Sequence, residues 1–186
     1  MIKVALLGST GSIGTQVANV VRRYSDRFEL VSLTAHKNAR VFLKQIEEFK
    51  PRVACITENI EIPDNLKSHT QFFVGENSFI EGIIDECDVV VVALVGFVGI
   101  HAVIKAIEKG KKIALANKES LVVGGGIIMP MAKEKGVEIV PIDSEHSAIW
   151  QALNFDKEKD FEKLIRPASG GALRNVAIKD LEKVSV

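Results

Sequence analysis

The fold is decided by Ile2-Lys3-Val4-Ala5-Leu6-Leu7-Gly8-Ser9-Thr10-Gly11-Ser12-Ile13-Gly14 and by the residues just after it. Six strand-length residues run into three glycines spaced GxxGxxG. Beyond them Ile13, Val17, Val20, Val21 and Tyr24 fall at i, i+4, i+7, i+8 and i+11. That spacing draws one apolar stripe along an amphipathic helix. A strand, a glycine turn and a helix in this order form a variant of the dinucleotide fingerprint. Glycines let the turn close tightly and let backbone N–H groups approach a pyrophosphate at the helix N-terminus. A glycine turn can also be purely structural; the strand before and the helix after favour a nucleotide.

Outward from this stretch, apolar runs alternate with segments of helical period. The runs cover residues 30–34, 53–56, 89–95, 113–116 and 137–142, most rich in Val and Ile without polar alternation. Strands of a parallel sheet covered on both faces read this way. Phe42, Ile46 and Phe49 mark a second helix, and Phe79, Ile80, Ile83 and Ile84 mark another. Ile100, Val103, Ile104 and Ile107 mark one more, stopped by Gly110. Alternating strands and helices imply right-handed crossovers and a doubly wound parallel α/β sheet. Residues 57–78 read as loop with a short strand near 72–74, and Pro130 as a helix start or kink. After Asp143 the rhythm changes to a helix around Ala148–Leu153 and a strand over 163–169. The expected division is therefore 1–143, a Rossmann-like nucleotide domain, and 144–186, the beginning of a second α/β domain.

The chain has 186 residues, one domain and a remainder at about 150 residues per domain. Apolar residues make up 47% and charged residues 26%, which excludes a disordered chain. Lys plus Arg and Asp plus Glu number 24 each, so the totals support no broad attraction to nucleic acid or to an anionic membrane. No apolar stretch approaches the ~20 residues of a membrane span, and the N-terminus lacks a signal-peptide pattern. Cys55 and Cys87 show neither CxxC nor metal-finger spacing and read as reduced core thiols of a cytoplasmic protein.

Polar clusters gather where a doubly wound sheet binds its ligands, outside the carboxyl ends of the strands. The second strand ends in Thr34-Ala35-His36-Lys37-Asn38, with a cation and no acid. A cation there suits a 2′-phosphate, so NADP is preferred over NAD. Asn117-Lys118-Glu119-Ser120 and Asp143-Ser144-Glu145-His146 follow two later strands. Two carboxylates two residues apart suit Mg²⁺ or Mn²⁺. They equally suit a helix start, with Asp143 or Ser144 as cap and the acids facing the helix dipole. Ser169-Gly170-Gly171 with Arg174 reads as a small-residue turn.

Together, Gly8–Gly14, Leu115-Ala116-Asn117-Lys118-Glu119-Ser120-Leu121, Pro141-Ile142-Asp143-Ser144-Glu145-His146 and Ala168-Ser169-Gly170-Gly171 resemble the 1-deoxy-D-xylulose 5-phosphate reductoisomerase family. The resemblance spans essentially the whole chain. It implies that Thr10, Gly11, Ser12 and Ile13 hold NADPH phosphates, with His36, Lys37 and Asn38 near the adenosine ribose. Asn117 and Glu119 would contact the cofactor. Lys118, Ser144, Glu145 and Ser169 would contact substrate, Lys118 and Glu145 catalytically. Asp143 and Glu145 would bind Mn²⁺ or Mg²⁺, which tips their reading from cap to metal.

The implied chemistry is rearrangement and NADPH-dependent reduction of 1-deoxy-D-xylulose 5-phosphate to 2-C-methyl-D-erythritol 4-phosphate, by a family that is usually homodimeric. His36 stands where the family usually has Gly, and Arg166, Pro167 and Ala172 also depart from its pattern. The family's lid, a third metal-binding Glu and a C-terminal helical domain have no counterpart before Val186. The expectation is that these 186 residues bind NADPH and turn over negligibly. The alternatives are a non-catalytic NADP-binding module or another Rossmann oxidoreductase acting on a phosphorylated aldehyde.

Overall fold

A computed structural model describes residues 1–153, 162–163, 165 and 176–183. Seven strands form one parallel sheet: β1 Ile2–Leu7, β2 Phe28–Ala35, β3 Val53–Ile56, β4 Gln71–Val74, β5 Val89–Val92, β6 Lys112–Leu115 and β7 Ile139–Pro141. Their spatial order is β4-β3-β2-β1-β5-β6-β7, every neighbouring pair parallel. The order reverses between β1 and β5, which opens a crevice at their carboxyl ends. The helices are α1 Ser12–Arg23, α2 Ala39–Phe49, α3 Asp64–Lys67, α4 Val98–Glu108, α5 Glu119–Lys135 and α6 Ser144–Ala152. No described helix is long and apolar enough to cross a membrane.

The first strand shows why the apolar runs lack polar alternation. Successive side chains point to opposite faces, and both faces of β1 are covered. Val4 and Leu6 pack with Leu33, Phe42, Ile46 and Ile56 on the α1/α2 side. Ala5 and Leu7 pack with Val90, Val103, Ile107 and Ile128 on the α4/α5 side. Arg22 of α1 also meets Glu48 of α2, its Nη2 donating at 2.7 Å.

One helical reading changes and another narrows. Phe79, Ile80, Ile83 and Ile84 do not mark an α-helix; one 3-10 turn, Ser78–Ile80, is followed by further turns. The reason is proximity to the sheet: a Cβ on Gly82 would stand 2.6 Å from Thr34 Cγ2 and 3.1 Å from Ser32 Oγ. A helix cylinder does not fit so close to a strand. Pro130 does not start a helix; of the two alternatives, its place inside α5 leaves the kink. There it withholds an N–H from the Gly126 carbonyl, at positions where both residues are exposed to solvent. Residues 57–78 contain the expected short strand, now β4 at the sheet edge, and the single turn α3. The strand expected over 163–169 lies largely outside the described residues.

Candidate active site

The glycine loop is fastened to the sheet before any ligand is considered. Gly8 N and Ser9 N both donate to Thr34 O, at 3.1 and 2.8 Å, and Gly8 N also reaches Thr34 Oγ1 at 3.0 Å. Gly8 has φ of 87°, and a Cβ there would lie 2.5 Å from Ala93 O. Gly14 packs under the loop, where a Cβ would lie 2.7 Å from Ser9 Cα. Gly11 differs, since its Cβ would meet only Gly8 O at 3.5 Å. It is the N-cap of α1, with no side-chain cap and no acid in the first turn. The N–H groups and positive dipole end of α1 therefore face an approaching anion without a carboxylate in the helix's own first turn.

A cavity of about 440 Å³ opens against this loop at the switch point. Gly8, Thr10, Gly11 and Thr34 are among its lining residues, together with Thr57, Glu76, Val95 and Val98. His36 is also among the residues that line it. Lys37 and Asn38 are exposed beside it, and the Asn38 side chain caps α2 by accepting from Val41 N at 3.3 Å. Thr57, Glu76, Val95 and Val98 carried no sequence signal, because three different loops deliver them. A larger depression of about 620 Å³ lies elsewhere, between α5 and β7, and is lined mainly by Met129, Pro130, Val137 and Ile139. Its wall carries Lys133 and no residue of the glycine loop or of the strand-end polar clusters.

Asn117 is 1% exposed and spends its amide inside the protein. Its Nδ2 donates to Leu94 O at 2.9 Å, Gly96 O at 3.1 Å and Glu119 Oε2 at 3.2 Å. Its Oδ1 accepts from Ser120 N at 3.0 Å and from the Ser120 hydroxyl. Gly99 leaves room for it, since a Cβ there would lie 2.6 Å from Asn117 Cγ. Asn117 therefore ties the β5–α4 loop to the β6–α5 loop and holds Glu119 at the mouth of α5.

Lys118 and Glu145 come together from different loops, Nζ to Oε1 at 3.1 Å. Ser144 Oγ donates to the other Glu145 oxygen at 2.8 Å. These two bonds, the Ser144 hydroxyl first and Lys118 second, pull the Glu145 carboxyl down to about 2. Asp143 caps α6: its Oδ1 accepts from Glu145 N at 3.1 Å and His146 N at 3.0 Å. Its Oδ2 lies 2.8 Å from His146 Nδ1. The cap is thus made, and it keeps Asp143 and Glu145 together at the start of α6. Hard oxygen donors of this kind fit a divalent cation. No group of three or more His, Cys, Asp or Glu side chains gathers as a metal site among the described residues. Ser169, Arg166, Pro167 and Ala172 lie outside the described residues.

The sequence matches two family models: 1-deoxy-D-xylulose 5-phosphate reductoisomerase over residues 4–125 and the C-terminal domain of the same enzyme over 139–186. The reductoisomerase of Thermoanaerobacter pseudethanolicus is 43% identical over all of this chain and half of its own length. The structure of the Zymomonas mobilis reductoisomerase in complex with NADPH superposes with a TM-score of 0.85 at 31% identity, covering 99% of this chain and 50% of that one. A reductoisomerase in complex with NADPH, fosmidomycin and magnesium gives 0.81 at 34% identity, covering 100% and 49%. The chain spans about half the length of the relatives it matches. With the glycine loop, the cavity at the switch point and the Lys118–Glu145 pair on one sheet edge, this chain belongs to the 1-deoxy-D-xylulose 5-phosphate reductoisomerase family.

Proposed function

We propose that the chain supplies the NADPH site and part of the catalytic centre of a cytoplasmic, homodimeric 1-deoxy-D-xylulose 5-phosphate reductoisomerase. The observation that carries this reading is the uncapped N-terminus of α1 opening onto the cavity on the same sheet edge as Lys118 and Glu145. Residues 1–143 would form the nucleotide domain and 144–186 the start of the catalytic domain. Relatives crystallised with NADPH and magnesium support the choice of cofactors.

The backbone of Thr10, Gly11, Ser12 and Ile13 would receive the pyrophosphate, and His36, Lys37 and Asn38 the ribose 2′-phosphate. Glu119 would stand on the cofactor side, held there by Asn117. Asp143 and Glu145 would hold a divalent cation, with further ligands from outside the described residues. Lys118 would place a positive charge on a substrate oxygen, Ser144 a hydroxyl, and Ser169 a contact to the substrate phosphate. When bound, NADPH supplies hydride and the cation supplies Lewis-acid polarisation. The ion pair with Glu145 fixes where the Lys118 ammonium sits, so it is already oriented when substrate arrives.

Titrating NADPH and NADH into the 186-residue chain tests the nucleotide half of the reading. Saturable binding with NADPH at least about tenfold tighter is expected from a 2′-phosphate contact to a cation. No saturable binding would sink it. For the metal half, Mn²⁺ binding followed by electron paramagnetic resonance should weaken in Asp143→Ala; unchanged Mn²⁺ binding would favour a non-catalytic NADP module.

A further inference from the structure

The core face of α2 contains one residue of the wrong kind. Phe42, Gln45 and Ile46 are its buried positions, and Gln45 is only 6% exposed. An amide buried beside two fully enclosed apolar side chains is costly unless both of its ends are bonded. Here one end is. Gln45 Nε2 donates to Ser9 O at 2.9 Å, across 36 residues of sequence, while Gln45 Oε1 and the neighbouring Ser9 Oγ are buried without a partner among the described residues. Ser9 itself is completely enclosed. Since Ser9 O can only accept, the amide orientation follows from chemistry.

A leucine would fill this place more comfortably, so the value of Gln45 lies in what it fixes. Ser9 is the second residue of the glycine loop. Its peptide link to Thr10 is planar and trans, with C=O and N–H pointing in opposite directions. Drawing the Ser9 carbonyl toward α2 therefore turns the Thr10 N–H away from α2. Thr34 holds the Ser9 N–H on the strand side, so the peptide planes on both sides of Ser9 are pinned. Thr10 and Gly11 then line the cavity.

We propose that Gln45 is a positioning residue for nucleotide binding: it aims the Thr10 N–H at the pyrophosphate without touching the ligand. This rests on the NADPH reading given above. It also joins the two corners of that site, because the helix carrying Gln45 is capped by Asn38, beside Lys37.

The test compares wild type with Gln45→Met, whose unbranched side chain keeps the length and adapts to the gap. Gln45→Leu serves as the second variant. Each is titrated with NADPH and with adenosine 2′-monophosphate, which carries the 2′-phosphate and lacks the pyrophosphate. The expected result is NADPH binding weakened about tenfold to a hundredfold, the range of one hydrogen bond to a charged group. Binding of the monophosphate and the melting temperature should stay level or, for the latter, rise. If both ligands weaken together, the role is general support of the domain and the inference falls. Wild type and variants binding NADPH equally would also overturn it. Wild type binding neither ligand would sink the NADPH reading, and this inference with it.

Discussion

Gly14 and Gly11 look equivalent in the GxxGxxG pattern, yet they answer to different constraints. A Cβ on Gly14 would lie 2.7 Å from Ser9 Cα, inside the folded loop, while one on Gly11 would meet Gly8 O at an ordinary 3.5 Å. Gly14→Ala should therefore cost about 2–3 kcal/mol in denaturant unfolding through overpacking. Gly11→Ala should stay within about 1 kcal/mol, since the loss of a tolerated cap residue is offset by a stiffer unfolded chain. Glu145 carries a second prediction of this scale. Its carboxyl should titrate near 2 when followed by carbon NMR, and Lys118→Met should move the midpoint up toward the ordinary 4.5. The sign follows from the direction of the shift. A group held below its unfolded value contributes stability above about 4.5, lost as pH falls toward 2.

Between elements, the loops after β5 and β6 are joined by one side chain. Asn117, in the loop after β6, meets Leu94 O and Gly96 O on the loop after β5 and Ser120 in the first turn of α5. Asn117→Ala would strand these buried groups and open a space against Gly99. The expected cost is about 2–3 kcal/mol in denaturant unfolding, the size of a lost buried network rather than of a surface contact. NADPH binding should weaken in the same variant, because Leu94 and Val95 of the freed loop line the cavity. In the sequence this asparagine stands within a run of polar residues, and the family resemblance implies a cofactor contact for it. Its burial under the β5–α4 loop arises from the β5–β6 pairing, which the local pattern does not reveal.

Across the whole molecule, the two thiols report on global opening. Cys55 and Cys87 are both buried, and burial pushes the Cys55 thiol up to about 12. Cys87 is also pushed up by burial. Neither offers an accessible thiolate at pH 8, so an aromatic disulfide reagent should label both only as fast as the fold opens. Prompt labelling of either in the native protein would contradict the described core. Elsewhere the outer face of α5 leaves Val122 80% exposed, with Val123, Ile127 and Met129 beside it. A continuous apolar face of this kind departs from the scattered exposure usual on a monomer.

By itself the sequence determined the parallel sheet, the place of the glycine loop and the clustering of polar residues at strand ends. Val- and Ile-rich runs have one stable arrangement when helices must cover both faces, and that information is local. The reading failed where distance to the sheet mattered. Around Gly82 the apolar spacing was helical, but the backbone lies too close to β2 for a helix. Only the tertiary structure decided that Gln45 reaches Ser9, that Lys118 meets Glu145, and that Glu76 and Val98 wall one cavity. Each of these joins residues far apart in the chain. Their meeting depends on strand order and crossover geometry, and no pattern within a window of sequence carries that.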